Sequence, residues 1–291
     1  MKKMGEINTR LGNIHNNIIY WIREAESRYG RTIKYTADLP LNAGPKRDNG
    51  IAEGFLAAGK NFTIRANYSP SDAVRAFLTG AETICECQGL MLAVLYNALL
   101  DVLSVPVFDL VFDGIEIKTS VRGPDGPIAK LVPEVGKTED VVMLGDWVYL
   151  GNTKKGLMTE MALEGRVEAA AGGWNLICVD LGPPKQYMGL GLIDKQLQIE
   201  SFSLEDIKAK MTGNYKPPVK PMTREEMRAA LMSGARIDSG PAKSTKLTGM
   251  LPSDVVIETI RRLDVRRLVK LVGAKLDLPR QTASPLLLIA T

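Results

Sequence analysis

The sequence contains a single histidine, His15, which lies far upstream of every cysteine. This scarcity argues against two classes of enzyme. A metallohydrolase needs a cage of several histidine ligands, and a cysteine peptidase of the usual kind places its histidine base after the nucleophile in sequence. Any cysteine chemistry must therefore use a carboxylate or another group as its base. The pattern of apolar residues around His15 is helical, so we interpret it as a surface or semi-buried residue of that helix.

Cysteine is also scarce. Cys85, Cys87 and Cys178 are an odd number, and the first two are too close for an easy bridge, so no disulfide framework is expected. This predicts a reducing, cytoplasmic compartment. The first residues lead into polar sequence rather than an apolar run, so no signal peptide is predicted. Delivery by a signal-independent secretion route stays open.

Long apolar runs of membrane length are lacking too. The most apolar stretch, around residues 90–115, is interrupted by Asn97, Asp101, Pro106, Asp109 and Asp113. A membrane span needs about 20 predominantly apolar residues. No membrane span is predicted.

The remaining composition is that of a globular protein. The 291 residues are 45% hydrophobic and 24% charged, which allows a sizeable core. An apolar helix is followed by short apolar segments between turns, an order that predicts an α+β fold. We divide the chain into an N-terminal helical and irregular extension (1–58), a core (59–200) and a basic helical C-terminal extension (201–291).

The pair Glu86-Cys87 stands immediately before a long apolar run, residues 90–100, which is typical of a buried helix. A cysteine in the first turn of a helix lies near unpaired N–H groups and the positive end of the helix dipole, both of which stabilise a thiolate. The neighbouring carboxylate can take the thiol proton. In the alternative interpretation, Cys87 is a small buried hydrophobic residue and Glu86 is a favourable helix-start residue.

The carboxylate also opposes a thiolate beside it, because a like charge raises the thiol pKa. A shared proton that titrates with the pair resolves this conflict. The sequence-based hypothesis is that Glu86→Gln leaves the fold intact and suppresses the reactivity of Cys87 at neutral pH.

The C-terminal region is basic. Residues 201–291 contain 16 Lys+Arg and 9 Asp+Glu, and the rest of the chain contains 21 and 24. A last long helix is predicted from Pro252 to about Leu276. The arginines at 261–262 and 266–267 indicate either a solvated helix face or a dock for an acidic partner. Nucleic acid is not predicted as a partner, because aromatic residues for base stacking are nearly absent there.

Several stretches together resemble the small bacterial protein-glutamine γ-glutamyltransferases (transglutaminases) known from spore coats. In that family a Glu-Cys pair opens an apolar helix that ends in Tyr-x-Ala-Leu-x-Asp, as at 86–87 and 96–101 here. Residues 143–150 look like the family's Leu-Gly-Asp-x-x-Tyr segment. Residues 173–177 and 187–191 look like its last two core strands. The resemblance covers roughly the middle half of the chain, and its helix is the specific part.

The resemblance implies a papain-like (NlpC/P60-like) core, in which a catalytic helix packs on an antiparallel sheet. It implies a cysteine nucleophile, Cys87, with Glu86 as a candidate base, and no metal or cofactor. The partner would be a protein with an accessible glutamine. The cysteine would form an acyl-enzyme and transfer it to a lysine amine, which cross-links proteins, or to water, which deamidates the glutamine.

The chain departs from the family at one catalytic position. The family's second glutamate lies in a Gly-Glu-Asn step, and the corresponding step here is Gly173-Trp174-Asn175. Either Glu86 acts alone, or Asp146 or Asp180 substitutes as the base, or the chain is inactive.

Trp147 and Trp174 are candidates for the walls of an apolar tunnel that binds substrate, and the alternative is that both are core aromatics.

Three functions stay open at this point. The first is a protein-glutamine acyltransferase. The second is a glutamine deamidase or amide hydrolase that acts as a bacterial effector or toxin. The third is a catalytically inactive module that keeps the fold and binds a partner.

Overall fold

A computed structural model describes residues 12–28, 31–35, 43–58, 61–118, 127–153, 173–189, 201–212 and 251–276. Within these ranges the helices are α1 (Ile14–Arg28), α2 (Pro70–Thr79), α3 (Cys87–Val102), α4 (Val105–Val111), α5 (Pro127–Leu131), α6 (Leu204–Met211) and α7 (Val265–Lys275). Two 3-10 turns span Glu139–Val141 and Pro252–Asp254.

The strands in the same ranges are β1 (Ile33–Tyr35), β2 (Gly44–Lys46), β3 (Phe55–Ala58), β4 (Asn61–Ile64), β5 (Glu82–Cys85), β6 (Glu116–Lys118), β7 (Glu134–Gly136), β8 (Trp147–Asn152), β9 (Gly173–Asp180), β10 (Gln186–Met188), β11 (Phe202–Ser203) and β12 (Val255–Arg261). They form three sheets, with strand orders β1-β5-β2, β3-β4-β6 and β11-β10-β9-β8-β12-β7. In the six-stranded sheet, β10 pairs antiparallel with β9 and β11, and β12 pairs antiparallel with β7.

Helix α3 is the centre of the core. Fourteen of its residues are buried, beginning with Gln88 and Gly89, as expected for a helix that is apolar on every side. Helices α1 and α2 pack along it. The same core contains Trp147, Ile177 and Val179 from β8 and β9, so the helix is packed on one face of the six-stranded sheet.

Helix α2 has a side-chain cap at its start. Ser69 is the N-cap of α2, and its side chain accepts a hydrogen bond from the Asp72 N–H. Pro70 occupies the first turn, where a missing N–H costs nothing.

The prediction of one long C-terminal helix from Pro252 is wrong over residues 255–261, which form strand β12. This segment is rich in β-branched residues, which favour a pleated strand over a helix. They are Val255, Val256, Ile257, Thr259 and Ile260. A helix follows only after Asp264, which caps α7 by accepting a hydrogen bond from the Arg267 N–H at 3.0 Å.

The described residues divide into two compact units. The first comprises those within 1–150, 174–203 and 257–291, and the second those within 151–173 and 204–256. In the second unit, α6 packs on the 3-10 turn Pro252–Asp254. All residues of the candidate site belong to the first unit. The domain boundaries drawn from the sequence stay a prediction.

In the part of the chain that the structure describes, none of the helices has both the length and the apolar character needed to cross a bilayer.

Candidate active site

Cys87 lies at a junction between a strand and a helix. Strand β5 is the middle strand of its sheet and ends at Cys85. Glu86 is the only residue between it and α3, which begins at Cys87. The thiol is therefore held in the first turn of a buried helix, and the residue is half-buried. The sequence-based placement of Cys87 in the first helical turn is confirmed.

Glu86 is the N-cap of α3. Its Oε1 accepts a hydrogen bond from the Gly89 N–H at 3.1 Å, which satisfies one of the unpaired donors at the helix start. Its other oxygen, Oε2, lies 4.0 Å from the Cys87 Sγ. The two oxygens thus have separate contacts, one with the helix and one with the thiol.

Asn175 on β9 approaches the thiol from the sheet. Its Nδ2 donates to the Cys87 Sγ at 3.2 Å, and its Oδ1 accepts from the Trp147 Nε1–H at 2.8 Å. An indole N–H can only donate. The amide oxygen must therefore face Trp147, which turns the NH2 group toward Cys87. Because both side chains are buried, this orientation is fixed.

Burial raises the pKa of the Cys87 thiol to about 11, and the charge of Glu86 raises it as well. Hydrogen bonds from Asn175 and from the backbone N–H groups of Gln88 and Cys87 act in the opposite direction. The helix start lowers the pKa as the sequence predicts, but burial outweighs it. Cys87 is consequently a thiol near neutral pH and needs a proton acceptor before it can attack.

Asp146 is fully buried at the start of β8. Its carboxylate forms a two-point ion pair with Arg262, with Oδ1 at 2.9 Å from Nε and Oδ2 at 2.8 Å from Nη2. Oδ2 also accepts from the Met143 N–H at 2.8 Å. Both oxygens are therefore engaged in holding the turn before β8. A role for Asp146 as the base of Cys87 stays a prediction.

Asp180 is exposed at the end of β9. Its Oδ1 accepts from the Gly182 N–H at 2.8 Å, an arrangement typical of a turn. Its assignment as a possible base also stays a prediction.

The two tryptophans occupy different positions. Trp147 is buried and its indole nitrogen orients Asn175. Trp174 precedes Asn175 on β9, and neighbouring residues of a strand point to opposite faces. Since Asn175 points to Cys87, Trp174 points away from that face. Direct substrate contacts by Trp147 and Trp174 stay predictions.

His15 is half-buried on α1, as expected for a semi-buried residue. It packs on Gly145, which has a φ of +78°, and a Cβ at that position would lie 2.8 Å from the His15 Nδ1. Burial lowers the pKa of His15, while the charge of Asp146 opposes the shift. The histidine is thus a neutral packing residue against the turn that Asp146 and Arg262 hold.

Sequence reasoning missed two residues of this arrangement. The sequence predicts a strand at Asn175 and no role for it in the site. A signal was available, because asparagine is depleted in strands and here begins the buried run Leu176–Val179. The sequence predicts Arg262 as part of a surface charge cluster, and nothing near it in sequence indicates a buried partner 116 residues away.

Among the described residues, no group of three or more His, Cys, Asp and Glu is placed to hold a metal ion.

The fold is similar to that of a known enzyme. The chain is similar to a solved structure of the transglutaminase from Geobacillus stearothermophilus without its C-terminal extension. The TM-score is 0.51 and the sequence identity is 15%. The match covers 90% of this chain and 95% of the other. No protein-family model matches the sequence, and no curated protein matches it.

At 15% identity, the likeness shows a transglutaminase-like fold. It confirms the predicted fold class, an α+β papain-like core with a helix packed on an antiparallel sheet, while the helical terminal extensions stay a prediction.

Proposed function

We propose that the chain is a cysteine acyltransferase of the protein-glutamine γ-glutamyltransferase type, with Cys87 as the nucleophile. The observation that carries the proposal is the arrangement around the Cys87 Sγ. An oriented amide donor lies at 3.2 Å and a carboxylate oxygen at 4.0 Å, at the start of a buried helix. The transglutaminase-like fold and the resemblance to the spore-coat enzymes support the same chemistry.

In the first half-reaction, the Sγ attacks the carboxamide carbon of a protein glutamine. A C–S bond forms, the C–N bond breaks, and the glutamine becomes a thioester on Cys87. The thiol proton passes to Glu86, whose Oε2 lies 4.0 Å from the Sγ, and then to the leaving nitrogen, which departs as ammonia. Glu86 ends this step as a carboxylate.

In the second half-reaction, a lysine amine attacks the thioester. A C–N bond forms, the C–S bond breaks, and Glu86 moves the amine proton to the departing sulfur. The product is an isopeptide cross-link. With water in place of the amine, the product is glutamate. One carboxylate suffices because it is returned to its starting state in each half-reaction.

Asn175 takes a supporting role in this scheme. Its NH2 donates to the sulfur and stabilises negative charge there, and Trp147 holds it in the required orientation. An amide cannot act as a base. The strand residue that faces Cys87 therefore stabilises the thiolate, and Glu86 carries the proton transfer.

The experiment is mass spectrometry of a glutamine-rich protein incubated with the chain and a small primary amine. Amine adducts on glutamine that disappear in Cys87→Ala are the expected result. Cys178→Ala is the matched control, because it removes another thiol whose pKa burial raises to about 11, and adducts should persist.

The other outcomes separate the remaining functions. Conversion of glutamine to glutamate without adducts would mean that water is the acceptor and the chain is a deamidase. Peptide cleavage would mean an amide hydrolase. No Cys87-dependent change on several substrates would overturn catalysis and favour a binding module of the same fold.

A further inference from the structure

Helix α7 presents a strongly basic side to solvent. Its sequence, VRRLVKLVGAK, contains no acidic residue. Its exposed cations are Arg266, Arg267, Lys270 and Lys275. The first three share one side of the helix, at spacings of three and four residues, and we call them the basic face of α7. The opposite side of the helix, Leu268, Val269 and Val272, is buried in the main core. The cations are therefore displayed on a firmly anchored helix.

Most of this charge is not neutralised within the described residues. Arg267 is the exception, because its Nε lies 3.1 Å from the Asp264 Oδ2 and its Nη1 donates to the Lys130 carbonyl at 3.0 Å. Arg266, Lys270 and Lys275 form no ion pair in the part of the chain described. The contact with Lys130, which is itself exposed, brings another cation beside the face.

The face lies away from Cys87. Helix α7 packs on α4 and α5, and α4 follows the C-terminal end of α3. Cys87 is at the other end of α3, whose 16 residues span roughly 24 Å at about 1.5 Å per residue. A ligand on the basic face thus does not occupy the candidate active site.

We propose that the basic face of α7 docks an acidic segment of the protein substrate. The proposal rests on the proposed function, which makes a protein the substrate. From Arg266 to Lys270 the helix rises about 6 Å, which an extended segment with two consecutive acidic residues can match.

Two other polyanions fit the face less well. The apolar side of α7 is buried and has nothing to insert into a lipid surface, as amphipathic membrane-binding helices do. The helix has no aromatic residue on which nucleic acid bases can stack.

Docking at a distance raises the local concentration of glutamine at Cys87 without touching the reacting atoms. Removal of the docking charge should therefore raise KM and leave kcat unchanged. The effect should weaken with added salt, because the cations are exposed and screened.

The binding test uses full-length Cys87→Ala protein and a fluorescein-labelled peptide of consecutive glutamates, followed by fluorescence anisotropy. The variant is Arg266→Glu/Lys270→Glu, in which the new acid near the helix start suits the helix dipole. The matched control is Arg23→Glu/Lys137→Glu, which changes the net charge equally at two exposed positions elsewhere. Circular dichroism checks that both variants fold.

The variant should weaken peptide binding by about tenfold or more at low salt, and the control should change it by less than about twofold. Equal losses of peptide affinity in the two variants would mean that net charge alone causes the effect, and would overturn the proposal. Absence of peptide binding would also overturn it. Anionic vesicles or duplex DNA that bind the face more tightly than the peptide would replace the acidic protein as its partner.

The activity test is kept separate. A glutamine substrate with an acidic tag and the same substrate with a neutral tag are compared in the active chain. The KM advantage of the acidic tag should be lost in Arg266→Glu/Lys270→Glu, with kcat unchanged. Peptide binding without any Cys87-dependent turnover would contradict both the proposed function and this docking role. The basic face of α7 would then be a binding site for acidic peptides only. Turnover without a tag effect would contradict only the docking proposal.

Discussion

Replacing Glu86 by glutamine separates two effects that the carboxylate has on Cys87. The carboxylate can accept the thiol proton, but its negative charge also raises the pKa of the thiol. Glutamine keeps an oxygen that can accept the Gly89 N–H hydrogen bond, so the cap of α3 is preserved. The variant thus removes the charge and the base while leaving the helix start in place.

The magnitude follows from the geometry. A thiol with a pKa of about 11 is a thiolate in roughly one molecule in 3,000 at about pH 7.5. Two unit charges at the 4.0 Å that separates Glu86 Oε2 from Sγ interact by about 4 kcal/mol at an effective dielectric constant of about 20. Because Oε1 shares the charge and faces Gly89, we expect a smaller gain, about tenfold more thiolate.

The assay measures iodoacetamide alkylation of Cys87 and glutamine acyl transfer in parallel. In Glu86→Gln, alkylation at neutral pH should rise by about tenfold while acyl transfer falls by about a hundredfold or more, the size of a typical general-base effect. The expected increase in alkylation is opposite to the hypothesis from the sequence alone, which predicts that Glu86→Gln suppresses the reactivity of Cys87. A disrupted helix start would also expose Cys87 to alkylation, so an unchanged melting temperature is needed to assign the increase to the lost charge. Alkylation that is unchanged or slower would refute the electrostatic reasoning.

Two further variants test the support of the site. Trp147→Phe removes the donor to the buried Asn175 Oδ1. It should destabilise the protein by about 1–3 kcal/mol and slow the alkylation of Cys87. The control Trp21→Phe removes another indole donor and should lower only the melting temperature. Asp146→Asn breaks the two-point ion pair with Arg262 and leaves the arginine charge without its partner. The free energy of unfolding in urea should fall by about 3 kcal/mol. A decrease below about 0.5 kcal/mol would contradict a stabilising role for the pair.

The parts of the fold that the sequence predicts are those with local causes. The position of Cys87 before an apolar run predicts the start of a helix, and α3 begins there. The apolar run after Cys87 predicts a buried helix because no polar side interrupts it. Both conclusions need only neighbouring residues, and both are confirmed.

The site contacts depend on long-range pairing and could not be derived in the same way. Cys87 and Asn175 are 88 residues apart, and their contact depends on how β9 is placed over α3. The resemblance indicated the right strand step but matched the family's glutamate to Trp174, one residue before the side chain that faces the thiol. A shift of one residue on a strand exchanges the two faces.

The helix prediction over the residues of strand β12 is wrong for a related reason. The predicted helix starts at Pro252, where Ser253 and Asp254 follow as typical first-turn residues. The β-branched residues after them favour a strand, and the decisive factor is an open position in the sheet between β8 and β7. Such a position is a property of the assembled fold.

That position also bears on the order of folding. Strand β8, which begins with the tryptophan that orients Asn175, has β12 as one of its two neighbours, and more than a hundred residues separate them in the chain. During synthesis β8 emerges long before β12, so one of its edges stays unpaired and exposed to aggregation until the late segment arrives. Sequence-distant pairing of this kind also slows folding. The part of the sheet that supports the nucleophile is therefore completed among the last.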